Sequence, residues 1–116
     1  MANPQTQPGF RILFPEGFDA RWEADLPDKG YIEDVVVELE GGTRYALSFI
    51  DPTRLKQELD LEVRSGRPFY AVPNLVVIPE VTRAAIEQAT QELVLEDYLG
   101  RLGTDPRVNG EVARGK

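Results

Sequence analysis

Ile32-Glu33-Asp34-Val35-Val36-Val37-Glu38-Leu39-Glu40-Gly41-Gly42-Thr43-Arg44-Tyr45-Ala46-Leu47-Ser48-Phe49-Ile50 is the stretch that decides the fold. Two β-rich runs flank Gly41-Gly42, the pattern of a hairpin. A two-residue loop at the glycines sets Glu38 beside Tyr45 and mixes polar with apolar side chains on both faces. A three-residue loop, Glu40-Gly41-Gly42 with Gly42 left-handed, instead pairs Val37 with Tyr45 and Val35 with Leu47. That register sorts Val35, Val37, Leu39, Tyr45, Leu47 and Phe49 onto one buried face and sets Glu38 against Arg44 outside. The second register is therefore expected.

Downstream, Asp51-Pro52 reads as an N-cap followed by proline in the first turn, and Gly66 suits the left-handed position after a helix. A helix over about 52–65 follows. Leu55, Leu59 and Val63 recur at i, i+4 and i+8, opposite the charge pairs Arg54/Glu58 and Lys56/Asp60/Arg64. This helix is expected to lay one face on the sheet. Arg67-Pro68-Phe69-Tyr70 reads as a turn anchored by Phe69, with a contact loop as the alternative. Phe69–Val72 and Leu75–Ile78 read as one bent or edge strand around Pro73-Asn74. Val81 and Ile86 flank Thr82 as a hydrophobic staple about an N-cap, and Ala85, Ala89 and Leu93 extend a second helix toward Gly100.

Upstream, Phe10–Phe14 reads as a first strand ended by Pro15. Glu16–Pro27 is ambiguous. Asp19 could cap a short helix carrying Trp22 and Leu26 at i and i+4, or Ala20–Ala24 could be a strand, and the strand is the expectation. The fold class is thus α+β, with an antiparallel or mixed sheet of four to five strands and two helices packed on one face. Residues 9–102 form the expected single domain, between a flexible leader at 1–8 and a flexible tail at 103–116.

The 116 residues suit one core, and 41% hydrophobic with 28% charged residues is globular composition. There is no cysteine and no histidine. Disulfide frameworks, thiolate or imidazole zinc sites, and His-based triads are therefore excluded. Ser48 and Ser65 stand in a strand and at a helix end, with no base beside them in sequence. The glycines do not form a phosphate-cradling loop, and no Ca²⁺ loop pattern occurs. No cofactor and no metal site is expected. Close carboxylate pairs such as Asp60/Glu62 and Glu96/Asp97 point apart on regular elements, which favours solvated faces over a catalytic pair.

Net charge is −7. Arg101, Arg107, Arg114 and Lys116 against Asp105 and Glu111 leave a local +2 over 101–116, so residues 1–100 carry −9. That balance opposes nucleic-acid binding, and no run approaches the roughly 20 apolar residues of a membrane span. The chain is expected to be cytoplasmic. Phe18, Trp22 and Tyr31 fall in a segment rich in Glu16, Asp19, Glu23, Asp25 and Asp28, a composition common at protein interfaces, and these residues without Tyr31 are the candidate partner-binding set. The alternative for Trp22 is a core position.

These features point to a non-enzymatic protein-binding domain, in its narrowest form an inhibitor or immunity-type protein that neutralises a more basic protein through an acidic surface. Two other classes fit the composition. One is a small carboxylate-based metal-dependent hydrolase, and the other is a structural or accessory subunit forming a homo-oligomer.

Overall fold

The structure, a computed structural model, describes residues 9–102. The expected leader and tail lie outside them. The chain runs β1 (Phe10–Leu13), α1 (Ala20–Lys29), β2 (Tyr31–Leu39), β3 (Arg44–Ile50), α2 (Pro52–Arg64), β4 (Leu75–Val77) and α3 (Arg83–Leu95), and a 3-10 turn closes it at Leu99–Arg101. It is an α+β domain with a mixed four-stranded sheet ordered β1-β2-β3-β4. Only the β3–β4 pair is parallel.

The hairpin takes the three-residue loop. Val37 pairs with Tyr45, Val35 with Leu47 and Glu38 with Arg44, and Gly41 and Gly42 both have positive φ. On the outer face the Glu38 carboxylate accepts from Arg44 Nε at 2.8 Å and from Arg11 Nε on β1. These two hydrogen bonds hold the Glu38 carboxyl below its usual range.

One feature of β2 leaves no mark in the sequence. The register shifts between Ile32 and Val35, where Asp34 adopts φ 63°. The extra residue of this bulge reverses the side-chain alternation. Ile32 thereby reaches the same buried face as Val35 and Val37 although their spacing is odd.

That face carries the core: Ile32, Val35, Val37, Tyr45, Leu47 and Phe49 meet Leu26 of α1, Ile86 of α3, and Val81 and Leu99. Two helices do cover one face, but they are α1 and α3. Among the described residues there are three α-helices, because Ala20–Lys29 is a helix and not the expected strand. Asp19 Oδ1 accepts from Trp22 N at 2.9 Å, and Gly30 (φ 67°) terminates the helix by donating to Leu26 O at 2.8 Å. With both ends capped, the extended alternative has no advantage, and only the helix sends Leu26 into the core.

Helix α2 forms where expected but does not pack as expected. No α2 side chain belongs to the core cluster or packs against it. Leu59 is 40% exposed and Val63 53%. The helix is held at its N-terminal end: Asp51 N donates to Gly30 O at 3.0 Å, Asp51 Oδ1 accepts from Arg54 N at 2.7 Å, and Arg54 Nη1 donates to Lys29 O at 2.8 Å.

Three further expectations change after α2. Phe69 is 49% exposed and anchors no turn. Of residues 69–78 only Leu75–Val77 form a strand. Pro73 has no N–H to give a ladder, and Asn74, at φ 54°, bends the chain into β4. Asn74 Nδ2 donates to Ala46 O and Asn74 O accepts from Ser48 N, both at 3.1 Å, which fixes the edge strand. Finally, α3 stops at Leu95, because Asp97 turns left-handed and Tyr98 N donates to Leu93 O at 2.9 Å. Leu99 then seals the core, while Leu95 stays exposed.

Candidate functional site

Helix α1 and the start of β2 enclose an open groove of about 460 Å³, lined in part by Trp22, Asp25, Lys29, Tyr31, Ile32 and Glu33. Trp22, Asp25 and Lys29 stand at i, i+3 and i+7, one side of the helix. Gly30 then reverses the chain, so that Tyr31, Ile32 and Glu33 form the opposing wall. The floor is apolar. Asp19, Asp25 and Glu33 put carboxylates around it, with Arg21 and Lys29 as the cations.

The floor is stiffened from behind. Phe14 and Phe18 stack with ring centroids 4.6 Å apart, and Phe18 meets Trp22 at 5.4 Å. The Arg83 guanidinium lies 4.9 Å from the Phe14 ring and bonds to Glu23 at 3.4 Å and Glu87 at 3.2 Å. Arg83 therefore ties α1 to α3 through the aromatic stack. Trp22 is half-buried, with one part against the core and the rest open to the groove.

At the far wall Tyr31 OH donates to Glu33 Oε1 at 3.2 Å. Burial first, and then the Glu33 carboxylate, push the Tyr31 hydroxyl up to about 12. Arg54 sits 5.6 Å from the Tyr31 ring and bonds to Glu58 at 2.6 Å, so the groove wall is also the seat of α2.

Of the seven candidate residues, Trp22, Asp19 and Asp25 line the groove. Phe18 supports it from behind. Glu16 and Asp28 are exposed outside it, and Glu23 is turned to Arg83. Arg21, Lys29, Ile32 and Glu33 were missed. The i, i+3, i+7 spacing ending at Gly30 would have found Lys29, but only on the helical reading of 20–29.

A second groove of about 450 Å³ runs along α3 past Ala85 and Ala89. It has no aromatic side chain and no cation in its lining. Among the described residues no group of three or more carboxylates is placed to hold a metal ion. No described helix is long and apolar enough to cross a membrane. No protein family, no curated protein and no solved structure matches this chain.

Proposed function

We propose that this protein is a non-enzymatic protein-binding domain, and that its α1 groove receives a more basic protein. The observation that carries the reading is a half-buried indole lining a largely apolar groove, with Asp19, Asp25 and Glu33 around it. Such a groove suits the stem of a lysine or arginine, and the carboxylates suit its charged head. An excess of negative charge over residues 1–100 steers a basic partner toward it. Inhibition of a basic toxin or nuclease is the narrowest form of this role, since it requires a stable acidic surface and no catalytic group.

The test begins with full-length tagged protein as bait in source-cell extract, followed by kinetics with the purified partner at two ionic strengths. Association should slow as salt rises. Asp25→Lys, an exposed position, should slow it at least tenfold while the melting temperature holds. A partner no more basic than this chain, or one indifferent to Asp25→Lys, sinks the proposal. If the partner is an enzyme, loss of its activity in the complex identifies the inhibitor role.

A further inference from the structure

Seven large apolar side chains are notably exposed among the described residues, and five fall between 59 and 77: Leu59 40%, Leu61 53%, Val63 53%, Phe69 49% and Val77 50%. Scattered single exposures are ordinary on any protein surface, whereas two on the same side of one helix form an apolar stripe. Leu59 and Val63 share one side of α2, one turn apart. The helix bearing them contributes nothing to the core.

Charge separates this stretch from the rest of the domain. Residues 52–77 carry Arg54, Lys56, Arg64 and Arg67 against Glu58, Asp60 and Glu62, a balance of +1. Counted the same way, residues 9–51 carry −6 and residues 78–102 carry −3. The charges of α2 are moreover largely matched locally, Arg54 with Glu58 at 2.6 Å, Lys56 with Asp60 at 2.9 Å and Arg67 with Glu62 at 3.6 Å. A basic partner gains nothing electrostatically by landing here. A second copy of this acidic chain, by contrast, meets repulsion on its other described segments and least at this one.

We infer that the α2 face centred on Leu59 and Val63 is a homodimer interface whose occupant is the same face of a second copy. A two-fold pairing presents one patch to itself, as closed dimers require. It covers apolar side chains that the monomer leaves in water, and it leaves the α1 groove open in both copies. The inference is independent of the groove's role. The two also respond to salt with opposite signs: screening weakens attraction between an acidic groove and a basic partner but relieves repulsion between two acidic copies.

The experiment is sedimentation equilibrium of the full chain up to about 100 µM, at about 50 and 500 mM NaCl. The expected result is a species of twice 13.0 kDa that forms at lower concentration in the higher salt. Leu59→Ser combined with Val63→Ser should weaken it at least tenfold with an unchanged circular dichroism spectrum. Val63→Lys gives the same reading should the double variant not fold. A monomer at every concentration overturns the inference, as does a dimer that tolerates both variants. A monomer that instead co-sediments with anionic lipid vesicles assigns the patch to a membrane surface and overturns it equally.

Discussion

Helices α1 and α2 begin alike and end in opposite situations. Each follows an aspartate whose carboxylate accepts from the N–H three residues on, at 2.9 Å from Asp19 and 2.7 Å from Asp51. Yet α1, with the sequence ARWEADLPDK, drives Leu26 to complete burial, while α2, with four large aliphatic residues from Leu55 to Val63, buries none completely. The helix richer in aliphatic residues is the one left outside. Apolar periodicity therefore says that a helix has a side to cover, and the attachment of its ends decides what covers it. Gly30 and Arg83 fix α1 against β2 and α3, whereas α2 is pinned at its first turn by Asp51 and Arg54.

The strongest way to break this comparison is to truncate one leucine in each helix. Leu26→Ala should cost about 3 kcal/mol of unfolding free energy, from lost burial and the cavity left behind. Leu59→Ala, in dilute solution, should stay within about 1 kcal/mol, because that side chain already contacts water. Urea unfolding reads both, and equal losses would show that α2 is packed after all.

Next in size is Gly30→Ala, at the junction of the two helices. Gly30 has φ +67°, and a Cβ there would lie 2.7 Å from Asp51 Oδ2. Left-handed strain of roughly 1 kcal/mol adds to a disturbed α2 cap of roughly 1 kcal/mol. The total expected loss is about 2 kcal/mol, again by urea unfolding. Hydrogen exchange should show the α2 amides loosening more than those of β2 and β3. Uniform loosening would contradict attachment of α2 at one end.

A gain is expected on the packed side. Thr90 of α3 is completely buried, and its hydroxyl has no hydrogen-bond partner among the described residues. Thr90→Val keeps the shape and removes a desolvated oxygen, so it should stabilise the domain by about 1 kcal/mol. A destabilised variant would mean that the hydroxyl is satisfied in solution. No such gain is available on α2, where the polar groups already face water.

How much of this was legible in the sequence follows the same division. The hairpin register could be read because only one loop length separates polar from apolar side chains, and the caps Asp51 and Thr82 because each is followed by a turn that needs its oxygen. Residues 20–29 could not be decided from periodicity, since Ala20–Ala24 alternates well enough for a strand. Half the groove was lost with them, because Lys29 and the β2 residues meet Trp22 only once a helix ends at Gly30. The bulge at Asp34 was illegible for another reason: a left-handed aspartate differs in no way, as a letter, from an extended one. The position of α2 was illegible because its stripe of Leu55, Leu59 and Val63 is the same whether it meets the sheet, another chain or water.

The smallest expected effect lies at the wall the two helices share, and it is read through pH. The Tyr31 hydroxyl is pushed up to about 12, by burial first and by the Glu33 carboxylate second, from an ordinary value of 10.0. Below pH 10 the folded and unfolded chains hold the same proton, so this group adds no pH dependence. Between about 10 and 12 the unfolded chain ionises Tyr31 while the folded chain does not, and stability falls as pH rises through that window. Tyr70, also shifted upward by burial, contributes in the same sense. Tyr31→Phe removes one of the two ionisations, and the loss of stability above pH 10 should become shallower without vanishing. At neutral pH the variant gives up the hydrogen bond to Glu33 at 3.2 Å and keeps the ring beneath Arg54, so the seat of α2 should survive. Urea midpoints taken at about pH 7, 9 and 11 resolve the two limbs. A slope unchanged by Tyr31→Phe would mean that the hydroxyl is as accessible in the folded chain as in the unfolded one, and that α1 and α2 do not share a buried wall.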